Sequence, residues 1–424
     1  MKRKIILGFL FFGIVLFFSC TQEALFEEHL DNITITQLNE SHFVSIDEAL
    51  QIAELQKNPY AKGLEISDYL EFKKYSDLAE FYIINYPNSG FIIISAEDRL
   101  NPILAYSEKS HFPLCDSNVP WGVTDWLNTT SALIDSIRRT NQDQNIVAKY
   151  NWNSVLAGKF PVFETNCSSS KTDYSSYVWE YGEDYDQDDC GMDGQVIAEY
   201  YIYVPQLLNT TWGQADGYNE QIAYGGCSPT PVNGRYLVGC VAVAVGQVML
   251  ENRYPTSGFD WDAIYNGGNA YGTATNAFLK DLGLPGNLNM SYGCTASLAY
   301  DSNAISYLIS VGYTYTSSTS SISPTTILND LRFGYPVILS GQGSYGRHMW
   351  VCDGIKSYHK IVCFAAGGSY DTGDAINMDK QYLRMNWGWY GSYDGWYSLY
   401  NFNPGIYTFN TSRLLIYNIK HQKQ

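Results

Sequence analysis

The pattern of apolar and polar residues begins with a short hydrophobic leader. Apolar residues run from Ile5 to Phe18 behind a basic cluster at residues 2–4. This run is shorter than the ~20 residues that span a bilayer, and a basic start ahead of it is typical of a secretory signal. Residues 1–19 are therefore predicted to be a signal peptide that is removed from the mature protein.

The pattern then changes to a mixture of helix and strand signals over residues 43–151. Ser45, followed by glutamate three positions later, has the spacing of a capping box at the start of a helix. Two apolar runs, residues 81–86 and 90–96, flank a Pro-Asn-Ser turn and predict a β-hairpin. A longer helix is predicted over residues 121–141. Together these elements predict a small α+β domain.

Residues 152–196 lose this periodicity and shift to serine, tyrosine, aspartate and glycine. Such a composition is typical of an exposed linker. The acidic run at residues 183–189 lacks the glycine and closing glutamate of a calcium-binding loop, so it is interpreted as solvated chain. The remainder, residues 197–424, is long enough to bury a core of its own.

One apolar segment of this last region, residues 240–252, gives conflicting signals. Valine alternates with alanine from Val241 to Val245, and that periodicity alone predicts a strand. The segment continues into good helix formers, and Pro255 supplies a stop just beyond it. Since a fully buried helix is apolar on all faces, the alternation is weak evidence and a helix is favoured.

Short apolar runs bounded by turn signals follow toward the C-terminus. They are residues 336–340, 348–352, 360–365 and 382–386. Such runs predict strands, and together they predict an antiparallel sheet that carries His348 and Asn386 on nearby strands. The fold class predicted for this region is again α+β.

Composition limits the classes of function. The net charge of −17 argues against nucleic acid as a partner, because nucleic-acid binding requires basic patches. Six histidines without an HExxH sequence predict no metal site, and no cofactor is expected. Nine cysteines without a CxxC pair exclude a disulfide-dense scaffold. Cys352 and Cys363 could bridge across a hairpin, but the connectivity stays open.

Cys240 is the first candidate for chemistry. It follows Gly239 at the predicted start of the apolar helix. Unpaired backbone amides and the positive end of the helix dipole favour thiolate over thiol at such a position. The alternative is an unreactive buried cysteine that packs as a small hydrophobic residue.

Three other residues occur in the order that thiol catalysis needs. Gln214, Cys240, His348 and Asn386 follow one another along the chain. Cysteine can act as nucleophile and histidine as base and then acid. Asparagine can orient the imidazole, and glutamine can hold the oxyanion together with the Cys240 amide. Taken singly, these residues could also be a core histidine, a strand cap and an ordinary loop glutamine.

Three motifs around these residues resemble the streptopain family of bacterial papain-like cysteine peptidases. They are Gly-Cys-Val-Ala-x-Ala-x-x-Gln-x-Met at residues 239–249, Asn-Trp-Gly-Trp-x-Gly at residues 386–391 with Asp-Gly at 394–395, and Leu-Leu-x-Thr-x-Trp-x-Gln at residues 207–214. The resemblance implies a papain-like fold in which a helical part carries Cys240 and an antiparallel sheet carries His348 and Asn386 across a cleft.

The same resemblance implies a cysteine endopeptidase that acts on protein or peptide substrates. Peptide bonds would be hydrolysed through a Cys240 thioester, with His348 as general base and acid in an ion pair with the thiolate. Gln214 would stabilise the oxyanion. Trp387 would shield from solvent the hydrogen bond that Asn386 makes to the imidazole.

Residues 43–151 resemble the propeptide of this family. The resemblance rests on Gly-Phe-Ile-Ile-Ile-Ser-Ala-Glu-Asp-Arg at residues 90–99 and Pro-Ile-Leu-Ala-Tyr-Ser at residues 102–107. It implies a zymogen whose own propeptide is an intramolecular inhibitor. Maturation cleavage, by the enzyme itself, is then expected in the linker at residues 152–196. The alternative is a separate binding domain that stays attached.

One departure from the family pattern concerns the histidine. The family has Gly-His-Ala, whereas Arg347 precedes His348 and Met349 follows it here. A cation beside the imidazole predicts a crowded cleft or a lowered histidine pKa. One alternative is therefore a catalytically impaired papain-like surface binding lipoprotein. Another is a transglutaminase-like thiol enzyme, but such enzymes usually pair histidine with aspartate, and Asn386 speaks against it.

Cys20 closes the hydrophobic leader and is a candidate for lipidation. Residues 16–20 resemble a bacterial lipoprotein cleavage site, and polar residues follow directly. An acyl chain on Cys20 would tether the protein to a membrane through residues 20–42. We therefore expect an extracytoplasmic protein that is anchored at the bacterial outer surface or in the periplasm, or that is secreted after ordinary signal cleavage.

Overall fold

The fold is given by a computed structural model, which describes residues 42–56, 66, 68–87, 90–114, 119–140, 143–158, 178–179, 196–228, 231, 233–266, 270–320, 322–343, 346–365, 373–377, 380–398 and 414–421. The predicted signal peptide, the tether with Cys20 and most of the predicted linker lie outside these residues. No helix in the described ranges is both long and apolar enough to cross a membrane.

Helices and strands are numbered along the chain within the described residues. The helices are α1 Ile46–Leu55, α2 Trp121–Arg138, α3 Ile146–Leu156, α4 Cys240–Asn252, α5 Trp261–Asn266, α6 Thr273–Leu282, α7 Asp301–Ser310 and α8 Pro324–Leu331. The strands are β1 Asp68–Phe72, β2 Phe81–Asn85, β3 Phe91–Ser95, β4 Ile103–Ser107, β5 Val178–Trp179, β6 Val196–Val204, β7 Ser317–Thr319, β8 Val337–Gly343, β9 Gly346–Ala365, β10 Gly373–Asn377, β11 Lys380–Asn386, β12 Gly395–Ser398 and β13 Leu414–Tyr417.

The N-terminal domain forms as the local signals predict. The capping box at α1 is present, because the Ser45 backbone N–H donates to Glu48 Oε2 at 2.7 Å and the Glu48 N–H donates to Ser45 Oγ at 3.4 Å. The predicted hairpin is β2 and β3, which pair antiparallel. Every residue of both strands is buried, which explains why they are apolar without alternation.

Helix α3 was not predicted, and it changes the domain boundary. It continues to Leu156, past the predicted end of the domain at residue 151. Trp152 and Val155 pack in the same hydrophobic cluster as Ile52 of α1, and Trp152 Nε1 donates to the Leu100 carbonyl at 2.8 Å. The first residues of the predicted linker therefore belong to the core of this domain.

The segment with conflicting signals is a helix, α4, as favoured. All of its residues from Val241 to Leu250 are buried. A helix buried on every side needs no polar face, so the valine and alanine alternation carried no information about its conformation. Helices α5, α6 and α7 pack around α4.

One continuous sheet joins both parts of the described chain. Its main path is β1-β2-β3-β4-β12-β11-β9-β8-β13-β7, and all of its pairs are antiparallel. The two parts meet where β4 pairs with β12, with Tyr106 opposite Trp396. A Cβ at Gly395 would lie 2.6 Å from the Tyr106 carbonyl oxygen, so this close approach requires glycine.

Strand β9 is longer than predicted. The runs at residues 348–352 and 360–365 belong to one strand of 20 residues, because β6, β8, β10 and β11 all pair along it. Part of the predicted linker is also in the sheet, since β5 pairs with β6 and β6 begins at Val196. The helices and the antiparallel sheet agree with the predicted α+β class.

The cysteines pair differently from the pair considered in the sequence. A disulfide joins Cys227 to Cys294. Cys352 is a free, buried thiol, so it forms no bridge to Cys363. Cys227 and Cys294 lie 67 positions apart in loops on either side of α4, and neither loop has a sequence signal for the other.

Candidate active site

Cys240 lies at the first residue of α4, where the chain turns sharply into the helix. Gly239 has a φ of 95°, and a Cβ on it would lie 2.8 Å from the Ser297 carbonyl oxygen. The glycine before the thiol is therefore required by both backbone conformation and space. Backbone amides of Cys240, Val241 and Met349 face the sulfur and favour the thiolate. Burial outweighs them and raises the pKa of the Cys240 thiol to about 11.

His348 lies on β9, next to Met349, and its imidazole is enclosed by aromatic rings. Its Nε2 is 3.0 Å from the Trp387 carbonyl oxygen. Its ring centroid lies 5.9 Å from that of Trp350, 6.1 Å from that of Trp389 and 6.5 Å from that of Trp387. Burial lowers the pKa of His348 to about 4.

Cys240 and His348 are therefore both neutral in this state. Within the described residues no hydrogen bond joins the thiol to the imidazole. Burial disfavours the charged form of each group and therefore opposes, in this structure, the thiolate and imidazolium pair expected of the active enzyme.

Asn386 lies at the end of β11 and binds residues other than the histidine. Its Oδ1 accepts a hydrogen bond from Gln247 Nε2 at 3.2 Å, and its Nδ2 donates to the Thr210 carbonyl at 2.9 Å. Thr210 Oγ1 closes the network by donating to Gln247 Oε1 at 2.7 Å. The carbonyl of Trp387, rather than Asn386, contacts the imidazole in this structure.

Gln247 is a site residue that sequence reasoning missed. It follows Cys240 by about two helical turns and so lies on the same side of α4. It is buried in a helix whose other buried residues are apolar or glycine. A single glutamine in such a segment was a signal for a buried polar partner, since buried amides are almost always hydrogen-bonded.

Gln214 is buried just ahead of the nucleophile segment. Its carbonyl accepts a hydrogen bond from the Val238 N–H at 2.8 Å, which ties the two segments together next to Gly239. The Ala215 N–H donates to Tyr390 Oη at 2.8 Å, and this fixes the next residue of the loop. The backbone of Gln214 thus lies beside the start of α4.

Trp387 is held by a buried ionic cluster that the sequence did not reveal. Its backbone N–H donates to Asp394 Oδ1 at 2.9 Å. Arg384 pairs with two carboxylates. Its Nη1 lies 2.7 and 2.8 Å from the two carboxylate oxygens of Asp353, and its Nη2 lies 3.9 Å from Asp394 Oδ2. Burial raises the pKa of Asp394 to about 7. The cluster positions the Trp387 carbonyl that binds His348.

Arg347, which precedes His348, points to a carboxylate. Its guanidinium forms an ion pair with Asp301 at the start of α7. The Asp301 carboxylate also accepts a hydrogen bond from Ser340 Oγ at 3.1 Å. The low pKa of His348 has burial as its cause, with the Trp387 carbonyl acting in the opposite direction. The prediction that Arg347 lowers this pKa was therefore wrong.

The N-terminal domain covers this site through the first turn of α2. A Cβ at Gly122 would lie 2.5 Å from Trp387 Cζ3 and 3.2 Å from His348 Cδ2, so the backbone of α2 rests on both rings. Nearby, the Tyr393 N–H donates to the His111 carbonyl at 3.2 Å. The domain thus lies directly against the histidine.

Ligand-type side chains elsewhere do not suggest a metal. In the described residues they converge at His42, Glu97 and Asp98. Glu97 is already paired with Arg99 at 2.5 Å and lies 3.5 Å from Arg138 Nε, so its charge is compensated. The site around Cys240 offers a thiol, an imidazole and backbone amides, which together suit acyl transfer.

Comparison with known proteins gives matches to both parts of the chain. The model described as Spi protease inhibitor matches residues 41–134, and the model of the Peptidase C10 family matches residues 212–397. No curated protein matches the sequence.

A solved structure with the same order of domains gives the same picture of the fold. The chain is similar to a fragment of prointerpain A from Prevotella intermedia, with a TM-score of 0.51 and 21% identity, over 85% of this chain and 100% of that chain. It also matches the active wild-type interpain A cysteine protease of that organism, with a TM-score of 0.37 and 24% identity, over 51% of this chain and 94% of that chain. The order of an inhibitor-type domain followed by a peptidase domain confirms the predicted fold class.

Proposed function

The chain belongs to the Peptidase C10 family, the streptopain family, and we propose that Cys240 is its nucleophile and His348 its general base and acid. The protein is a cysteine endopeptidase that is made as a zymogen. The observation that carries the assignment is the start of α4, where three backbone amides face the Cys240 sulfur and β9 places His348 next to one of them.

The proposed reaction begins when the N-terminal domain leaves His348. The imidazole takes the proton of the Cys240 thiol, and the thiolate attacks the scissile carbonyl carbon of a peptide. The Cys240 amide and Gln214 stabilise the oxyanion, and His348 then protonates the departing amine. Water, activated by the same imidazole, hydrolyses the thioester and restores the thiol.

Asn386 is proposed to orient the imidazole in the mature enzyme, with Trp387 shielding that contact. Support comes from the position of Asn386, whose backbone precedes the Trp387 carbonyl that now holds His348 Nε2. Gln247 and Thr210 fix the Asn386 amide from the other side. A small movement of His348 away from that carbonyl would exchange one acceptor for the other.

The N-terminal domain is the intramolecular inhibitor. Its helix α2 packs on His348 and Trp387 through Gly122, and its strand β4 extends the peptidase sheet at β12. The imidazole is thereby buried and neutral, so it is held away from the ion pair that catalysis requires. We propose that maturation cleavage falls between the end of α3 at Leu156 and the start of β6 at Val196.

The assignment is tested with the full chain and its Cys240→Ser variant on casein, each with and without a thiol-alkylating peptide epoxide. We expect the wild type to cut casein and shorten itself, and the epoxide to block both and to label Cys240. Cys352→Ala is the matched control, because Cys352 is also a free thiol but lies buried outside the site. It should keep the activity.

Two outcomes would contradict these proposals separately. Casein cleavage by Cys240→Ser would remove Cys240 as nucleophile. A purified Cys240→Ser chain that still matured alone would contradict self-processing while leaving the nucleophile in place.

We also propose that the protein acts outside the cytoplasm, with Cys20 lipidated. The disulfide between Cys227 and Cys294 supports this location, because such bonds persist in oxidising compartments. The basic and apolar leader ahead of Cys20 supports export. Incorporation of a labelled fatty acid into the wild type but not into Cys20→Ala is the expected result. Equal labelling of both chains, or of neither, would exclude the anchor.

A further inference from the structure

A carboxylate lies close to the nucleophile from a different element. Asp301 begins α7, which packs against α4. Its carboxylate accepts a hydrogen bond from Ser340 on β8, and Ser340 lies opposite Met349 in the β8 and β9 pairing. The Met349 amide in turn faces the Cys240 sulfur. Ser340 contacts the Asp301 carboxylate, and Met349, its partner on the neighbouring strand, contacts the Cys240 sulfur. These two paired residues therefore link the carboxylate to the thiol.

A negative charge at this place opposes the reaction. A like charge near a thiol disfavours the thiolate, and the Asp301 carboxylate acts on Cys240 in this direction. The Asp301 side chain is 13% exposed, so solvent screens its charge only partly. An uncompensated Asp301 would therefore hinder ionisation of the nucleophile.

Arg347 supplies the compensating charge. Its guanidinium pairs with Asp301, and its side chain is 36% exposed, against 13% for that of Asp301. Among the described residues, the charged side chain that acts on the Cys240 thiol is Asp301 from α7. Arg347 is the cation that pairs with this carboxylate.

We propose that Arg347 is a positioning residue for the peptidase reaction, which neutralises the Asp301 carboxylate beside the nucleophile and so permits Cys240 to ionise. The arginine that replaces the glycine of the streptopain pattern is then a matched partner of Asp301 and supports activity. This inference rests on the proposed function, because it requires Cys240 to be the nucleophile.

The test is the rate at which neutral iodoacetamide alkylates Cys240 in the full-length zymogen at a fixed pH below the thiol pKa, read on the Cys240 peptide by mass spectrometry. Only the thiolate reacts, so the rate reports ionisation. Arg347→Met should slow alkylation about 3- to 10-fold and Asp301→Asn should speed it by a similar factor, since tenfold corresponds to one pKa unit. Arg347→Lys should stay close to wild type.

The double variant Arg347→Met with Asp301→Asn separates charge from structure. With both charges gone, the alkylation rate should return to within about 3-fold of wild type, whereas damage to the fold would add in the double variant. The matched control is Asp262→Asn, which breaks another arginine and aspartate pair, with Arg253, on the exposed side of α5. It should leave the rate unchanged.

A second reagent separates charge from access. Anionic iodoacetate should be slowed more than iodoacetamide by Arg347→Met, because the free carboxylate also repels the reagent. An opened or closed cleft would change both rates equally. In matured enzyme, the acidic limb of the kcat/KM profile should move to higher pH in Arg347→Met and to lower pH in Asp301→Asn.

Failure of this inference differs from failure of the proposed function. Suppose that Cys240→Ser is inactive while Asp301→Asn and Arg347→Met show the alkylation rate and pH profile of the wild type. The proposed role of the Arg347 and Asp301 pair is then overturned, and the assignment of Cys240 as nucleophile is kept. If Arg347→Met does not fold, Asp301→Asn alone decides, because it must accelerate alkylation. Activity in Cys240→Ser would overturn the function itself.

Discussion

The imidazole of His348 links latency to pH at the scale of one residue. Its pKa lies at about 4 in the folded zymogen, against about 6.5 for an ordinary histidine, because burial disfavours the cation. The unfolded chain binds this proton more tightly than the folded chain does. The stability contributed by the neutral ring is therefore complete above pH 6.5 and is lost as the pH falls toward 4.

The inactive Cys240→Ser chain tests this dependence. Its free energy of unfolding should lose up to about 3 kcal/mol between pH 6.5 and 4 through His348, and adding His348→Gln should remove that part of the loss. Chemical denaturation at several pH values gives the measurement. His111→Gln serves as control, because His111 is exposed. The same pH dependence with and without His348 would contradict the assignment.

Gln247 offers a second prediction at this scale. Gln247→Ala removes one of the two hydrogen bonds that Asn386 Oδ1 accepts, the other coming from the Gly388 N–H at 3.1 Å, and such a loss costs about 0.5–1.5 kcal/mol. We expect the free energy of unfolding to fall by this amount, and kcat to fall more than KM changes, since Asn386 is proposed to orient the imidazole. The half-buried Gln221, whose side chain donates to the Thr273 carbonyl at 3.3 Å in an exposed hydrogen bond, gives the control variant Gln221→Ala. An unchanged kcat in Gln247→Ala would disconnect this network from catalysis.

At the residue scale the sequence predicted candidate reactive groups but not their hydrogen-bond partners. Cys240 and His348 have local signals, a glycine before a helix and a histidine at the start of an apolar run. Their hydrogen bonds join positions that are far apart in the chain, such as His348 with the Trp387 carbonyl. Local patterns hold no information about such pairs.

At the scale of an element, helix α2 connects the inhibitor to the site, because it packs on Trp387 and His348 through a residue without a side chain. Gly122 lies at the second position of the helix, where its Cα approaches Trp387 and His348. A methyl group there would overlap the indole ring, and overpacking of this kind costs about 1–3 kcal/mol.

Gly122→Ala should therefore weaken docking of α2 and speed maturation of the full chain several-fold, as followed by gel electrophoresis over time. The better helix propensity of alanine, at most about 1 kcal/mol, acts in the opposite direction. Ser136→Ala in the same helix tests propensity without the overlap. Maturation of Gly122→Ala at the wild-type rate would show that α2 tolerates the methyl group and that Gly122 is not the contact that matters.

Elements were predicted well where the sequence pattern is local and less well where pairing defines them. The capping box of α1 and the hairpin of β2 and β3 are short-range features, and both are confirmed. Strand β9 looked like two strands, because its continuity depends on four neighbours distant in sequence. Its turn-like middle is overridden by those pairings.

At the scale of the whole molecule, the inhibitor and the peptidase share one sheet and one of their hydrophobic clusters. A single hydrophobic cluster contains Phe91 and Trp126 from the inhibitor and Trp387 and Tyr397 from the peptidase. The rings of Trp126 and Tyr397 meet edge to face at 5.1 Å. Undocking the inhibitor would therefore expose aromatic surface in both parts to water. Because such exposure costs free energy, the shared cluster favours the docked, latent state.

Lys356 anchors this junction. It lies buried on β9, with its Nζ 2.8 Å from Tyr106 Oη, 3.2 Å from Glu108 Oε1 and 4.4 Å from the centroid of the Trp396 ring. The tyrosine and the glutamate belong to the inhibitor, so a peptidase cation is held by inhibitor groups. Such charge-assisted and cation–π contacts are together worth about 1–2 kcal/mol.

Lys356→Met should raise the undocked population about 5- to 30-fold, because the aliphatic part still packs while the charge is lost. We expect faster maturation of the full chain and easier proteolysis of the inhibitor in the inactive Cys240→Ser background. The control is Lys74→Met, since Lys74 is an exposed inhibitor lysine that contacts Asn128 instead. If both variants matured at the wild-type rate, Lys356 would not anchor the inhibitor.

The sequence alone predicted the cysteine and histidine that are proposed to react, most of the helix and strand types around them, and the order of inhibitor and peptidase. These are carried by residues close together in the chain, where backbone preference and turn chemistry act directly. Only the tertiary structure decided that both reactive groups are neutral, that Asn386 binds Gln247 and that Arg347 pairs with Asp301. Burial and charge pairing depend on which distant segments meet, and that is settled when the sheet and its shared core form.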